Sequence, residues 1–173
     1  MKNNHYFVLV ILILLSCKKK NQIELQFLDE YIVKDSLYIN NSLVGGLSGL
    51  DYAEGYYYCV VDDQVVPRFL KATIDIQKNE ITSVNFESVF FFKDDVRSFF
   101  RENAMDLEAI FLDEATQEIN FVSEGAINSN KPPSIFSIDK NGKLVHVYEL
   151  PKSLKNNSIM RHNAVFEGSS KSV

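Results

Sequence analysis

The 173-residue chain is long enough for one modest domain, and its 46% apolar content is ordinary for a globular protein. Thirteen Phe and eight Tyr favour sheet over helix. The net charge of −5, with no Lys/Arg stripe, argues against nucleic acid as a partner, and two cysteines provide no disulfide framework and no cysteine-based metal site.

In chain order, "MKNNH" is a short positive leader and "YFVLVILILL", residues 6–15, is an apolar run too short to span a bilayer but suited to a signal peptide. It ends in "LLSC", a lipobox-like sequence in which Cys17 is the lipidated residue and the new N-terminus. Residues 1–16 are therefore expected to be removed, and 17–22, with "KKKNQ", to form a polar tether. Losing Lys2 and no acid takes the charge from −5 to −6. These features place the protein at the bacterial cell envelope, held to a membrane by lipid on the outer-membrane or periplasmic face.

The segment "IELQFLDEYIVKDSLYI" supplies one or two strands ahead of "VGGLSGLDY". The latter has no G-x-x-x-x-G-K-[ST] pattern and no helix behind it, so it is an opening strand and turn, not a phosphate cradle. "YYYCVVDD" is the next strand, with Cys59 a small buried hydrophobe. In "RFLKATIDI" the residues Leu70, Ala72, Ile74 and Ile76 share one face, and "KNE" at 78–80 turns into "ITSVNFESVF". The aromatic stretch 88–106 either packs under the sheet or forms a lid, core packing being the safer expectation.

The pattern then recurs. "LSGL" at 47–50, "LEAI" at 107–110 and "FEGS" at 166–169 match, with Ser48, Glu108 and Glu167 separated by 60 and then 59 positions. "YYYCVVDD" is matched by "EINFVSEG", which sets Asp62 and Asp63 opposite Ser123 and Glu124. "PRFLKATID" is matched by "PPSIFSID", and each copy ends in a turn feeding a strand. Four strands in about 60 residues is the signature of a β-propeller blade. The expected fold is all-β: a partial propeller of about two blades, 47–105 and 107–160, plus the start of a third. A β-sandwich is the alternative. Closing a ring takes about four blades, so the chain reads as the N-terminal part of a larger propeller whose blade edges seek a partner.

"VGGLSGLDY", "VVDDQVVPRFLKATID", "DLEAIFLD", "FVSEG", "PPSIFSIDKNG" and "NAVFEG" occur in an order and spacing that resemble the "esterase-like activity of phytase" family, phytase-like propeller proteins that are often lipoproteins. The resemblance runs from about Ile23 to the C-terminus and covers about the first half of the usual family domain, so that 23–173 would be a C-terminally truncated phytase-like domain. It implies hydrolysis of small phosphorylated or ester substrates. Carried over by position, its residues are Asp51, Asp62, Asp63, Arg68, Glu108, Glu124 and Glu167. In that reading Asp51, Asp62 and Asp63 would hold a hard cation such as Ca²⁺, Arg68 a phosphate oxygen, and Glu108, Glu124 and Glu167 the catalytic chemistry. The competing reading makes the Asp residues turn caps, the repeated Glu residues a clasp between blades, and Arg68 a surface ion pair. His5, His146 and His162 form no legible nucleophile–base pair and no G-x-S-x-G elbow is present, which disfavours a serine esterase. A non-catalytic propeller that binds a ligand at the envelope is the alternative function.

Overall fold

A computed structural model describes residues 23–156, 158–161 and 165–170. The leader, Cys17 with the whole of the 17–22 tether, and His162 lie outside them. Strands β1 (Tyr38–Ile39) and β2 (Ser42–Leu43) form a small hairpin. Strands β3 (Leu47–Ala53), β4 (Tyr56–Val61), β5 (Arg68–Gln77) and β6 (Glu80–Phe91) then pair antiparallel in chain order as one sheet. A helix, α1 (Asp94–Glu102), leads to the second sheet. That sheet is again a simple meander of β7 (Leu107–Asp113), β8 (Glu118–Ser123), β9 (Ser134–Ile138) and β10 (Leu144–Val147). Each sheet is one contiguous run of chain, which is how successive propeller blades are built; no strand switches sheets as in a Greek-key sandwich.

Local chemistry explains the meanders. Glu54–Gly55 and Lys78–Asn79 are two-residue loops with positive φ at both positions, the primed turns whose twist matches flanking antiparallel strands. In β4, Tyr58 and Val60 point to one side, while Cys59 and Val61 point to the other. The first side is the main core between the sheets, where β7 packs on β3 and β4. The second is covered by Val33, Leu37 and Ile39 from the N-terminal segment. Cys59 is the buried hydrophobe expected, its thiol pushed up to about 11 by burial.

Three local expectations change. Of the segment 23–39, expected to supply one or two strands, Tyr38–Ile39 does so as β1, while residues 23–37 form none and Ile23, Leu25 and Phe27 are largely exposed: apolar alternation makes a strand only where an edge is there to pair with. Residues 165–170, which include most of the third copy of the repeat, also lie outside any strand. Within 88–106 the helix α1 forms where no helical period was legible, because nine residues give barely two and a half turns. Its apolar positions Val96, Phe99 and Phe100 face the core. Phe92 stands edge-on to Phe100 and Phe121 at 5.2 and 5.0 Å, so this stretch is core and not lid. No helix among the described residues is long and apolar enough to cross a membrane.

Candidate functional site

The site forms where the two sheets start. In both β3 and β7 the pairing register slips one residue after the first, between Leu47 and Gly49 and between Leu107 and Ala109. Ser48 and Glu108 are therefore equivalent bulge residues, and a bulge re-aims its side chain out of the regular pleat. Ser48 uses this position to donate its hydroxyl to the Leu107 carbonyl of the next blade. The close approach depends on Gly49, where a Cβ would stand 2.7 Å from the Ala109 Cα. Glu108, in the same place one blade on, carries a carboxyl instead.

The other end of each inner hairpin supplies a second acid. Leu47 pairs with Val61 and Leu107 with Ser123, so Asp62 is the counterpart of Glu124. This corrects the sequence alignment by one residue, since Asp63 then matches Gly125. The backbone agrees: Asp62 N–H donates to Gly46 O at 2.7 Å, and Glu124 N–H donates to Asp106 O at 3.0 Å. Asp106 thus occupies the place held by Gly46 in the first blade.

Packing the blades together gathers Asp62, Asp106 and Glu108, one carboxyl oxygen from each lying within 4.8 Å of the others. Asp106 is buried, Glu108 half-buried and Asp62 at the exposed rim. Burial, then a hydrogen bond to the Asp106 carboxyl and the charges of Asp106 and Asp63, push Asp62 up to about 6. Burial, then the charges of Asp62, Asp106, Glu124 and Glu167, push Glu108 up to about 7. The charges that raise the two are all carboxylates. Glu124 is also raised, first by burial and then by Asp106, although its carboxyl takes the Val165 N–H. It is 5% exposed, and its Oε2 is buried without a hydrogen-bond partner.

The remaining predicted residues sit elsewhere in the chemistry. Asp51 Oδ2 accepts the Leu112 N–H at 2.8 Å, a clasp between blades. Asp63 accepts the N–H groups of Val65 and Val66 at 3.0 Å each and the Arg68 guanidinium at 2.6 Å. These bonds, the one from Val66 first, hold it below the usual carboxylate range. Arg68 is buried, not a surface ion pair, and its Nη atoms are taken by Asp63, by Val66 O at 2.8 Å and by Leu43 O at 3.1 Å. Its guanidinium therefore braces the 62–67 loop, where the sequence reading had it hold a phosphate oxygen. Glu167 is exposed, close enough for its charge to act on Glu108 and Glu124. Asp106 was missed by the sequence reading: the repeat has Gly46 and Val165 at its position, so a search for recurring acids passes over it.

A protein-family model described as "Phytase-like: Esterase-like activity of phytase" matches residues 42–172. The chain belongs to this family. No curated protein and no solved structure matches it. The match to the phytase-like family includes both sheets and every member of the acidic cluster.

An all-oxygen donor set of this kind suits a hard divalent cation. The fit has a second support in Glu124 Oε2, a buried carboxylate oxygen with nothing to satisfy it. In this phytase-like chain the residues that would hold a cation are Asp62, Asp106 and Glu108, with Glu124 beside Asp106; of the expected set Asp51, Asp62 and Asp63, Asp62 alone is in the cluster.

Proposed function

We propose that this phytase-like chain is a metal-assisted phosphoester hydrolase module whose chemistry is centred on Asp62, Asp106 and Glu108. The observation that carries the reading is three carboxyl oxygens drawn within 4.8 Å of one another, with carboxylates as the charges that raise Asp62 and Glu108. Such an arrangement is costly unless protons or a cation neutralise it. A cation held there would polarise a phosphoryl oxygen and lower the pKa of bound water. Asp106, buried and shared between Asp62 and Glu124, fixes the carboxyls relative to one another. Glu108, pushed up to about 7 by burial and the carboxyls around it, holds its proton near neutrality while the cluster is without a cation, and a cation bound there would take that proton's place. The bulge that presents Glu108 explains why the first blade, with Ser48, makes a structural hydrogen bond there instead.

Hydrolysis of p-nitrophenyl phosphate with Ca²⁺ and with EDTA tests this. The expected result is turnover that EDTA abolishes and that Asp106→Asn lowers by about 100-fold, the scale of a lost site-orienting partner. Ca²⁺ binding by calorimetry without turnover would instead make the chain a non-catalytic binding module. Absence of both overturns the reading.

Cys17 is the attachment point in this proposal, supported by the lipobox-like "LLSC" and the polar tether behind it. Cys17→Ser is expected to abolish incorporation of labelled palmitate and move the protein from the membrane to the soluble fraction. Equal membrane recovery of the variant would sink the lipid anchor.

A further inference from the structure

The 62–67 loop has two ends with opposite chemistry. Asp62 belongs to the acidic cluster, while Gln64 to Pro67 form one wall of a cleft of about 320 Å³. The other wall is α1 and Phe92, two residues before it, contributing Phe92, Arg97, Phe100 and Arg101. Arg97 and Arg101 are four residues apart, so they project from the same face of the helix. Two like charges at that spacing repel by a few tenths of a kcal/mol, a cost normally offset by an acid. Asp94, three residues before Arg97, is the acid placed to do so, yet neither guanidinium makes an ion pair with it or with any other carboxylate among the described residues, and Asp95 is taken by the N–H groups of Val96 and Leu144. Among the described residues the one side-chain bond of the pair is Arg97 Nε to Phe92 O at 3.2 Å, which orients that guanidinium and leaves its terminal N–H groups for another acceptor.

Besides the arginines the cleft is lined by Gln64 and by the apolar Val65, Val66, Pro67, Phe92 and Phe100, with Val65 89% exposed. A cleft that shares apolar side chains and two guanidinium groups is complementary to an anion that carries an apolar group. Planar guanidinium groups match phosphate oxygens two at a time, which a lysine pair would not do.

We propose that Arg97 and Arg101 form the substrate-anion site of this chain and select phosphoesters with an apolar or aryl substituent. Naming the ligand as substrate rests on the hydrolase reading above; the anion site itself does not. It replaces Arg68, whose guanidinium is occupied inside the fold.

The test is calorimetric titration of the full chain with phenyl phosphate in EDTA, so that loss of the cation chemistry leaves the result unaffected. Wild-type protein is expected to bind phenyl phosphate more tightly than inorganic phosphate, and Arg97→Gln/Arg101→Gln to weaken it by at least about 10-fold, the value of a charge-assisted hydrogen bond. The charge-matched Lys34→Gln/Lys78→Gln control, at exposed positions outside the cleft, is expected to bind as wild type. Circular dichroism melts confirm that each variant folds. Equal binding by the arginine variant, no preference for the aryl ester, or binding of phosphatidylglycerol vesicles without phenyl phosphate would each overturn the proposal. The hydrolase reading fails separately, through cation binding and Asp106→Asn.

Discussion

Phe121→Ala is expected to destabilise the fold by about 3–5 kcal/mol, the range for removing a fully buried aromatic ring whose site collapses only in part. Phe121 has no exposed surface and joins all the parts of the structure that must meet. Its ring lies 5.5 Å from Phe69 of the first sheet, 5.0 Å from Phe92 of the linker and 5.3 Å from Phe136 of β9, stacked on the last. Offset and edge-on ring pairs add to area burial, so the loss includes specific contacts as well as a cavity. Urea unfolding followed by far-ultraviolet circular dichroism measures it. Val65→Ala, at an 89% exposed position, serves as the comparison and should stay within about 0.5 kcal/mol. A cost for Phe121→Ala below about 1 kcal/mol would mean that the two sheets do not share this core.

The acidic cluster is expected to make the chain less stable at about pH 8 than at about pH 5 when no divalent cation is present. Asp62 titrates at about 6 in the fold against 3.8 ordinarily, and Glu108 at about 7 against 4.5. Both carboxyls bind their protons more tightly folded than unfolded. Their neutral forms are compatible with the packed cluster at low pH, and stability is lost as pH rises through about 6 and then 7. The shifted carboxyls that behave oppositely, Glu54, Asp63 and Asp139, are lowered and have finished titrating below this window. A cation supplies the charge that the protons supplied, so millimolar Ca²⁺ should raise the melting temperature at about pH 8 and have little effect at about pH 5, where it competes with protons. If Ca²⁺ is present at about 100 times its dissociation constant, the gain is about 2.7 kcal/mol. Glu108→Gln is expected to flatten the pH dependence and reduce the Ca²⁺ response together. A melting temperature that is equal or higher at the alkaline end in EDTA, with no response to Ca²⁺, would contradict this.

The blade was legible in the residues because a β-meander is local. Apolar alternation and the Glu54–Gly55 and Lys78–Asn79 turns specify each hairpin from within a few residues, and the 60-residue recurrence of Ser48 and Glu108 marks equivalent positions in successive blades. What recurrence cannot show is which non-equivalent positions touch. The cluster joins the end of β4 in one blade to the start of β7 in the next, so Asp62 meets Asp106, a residue with no acidic counterpart in the other copies. Asp51 and Asp63, acids of the same type at turn and strand positions, are drawn instead to backbone N–H groups and to Arg68. Whether a carboxyl caps a turn or joins a cluster depends on the donors within about 3 Å of it, and those come from other elements.

Residue order and spacing are enough to record the four-stranded repeat, the family resemblance and the candidate acids. Only the tertiary structure decided that Arg68 is enclosed by Asp63, Val66 and Leu43, that α1 turns Arg97 and Arg101 into a cleft, and that Asp106 is a member of the cluster. The reason is that burial and electrostatic neighbourhood are properties of the space between blades, where distances along the chain no longer measure proximity.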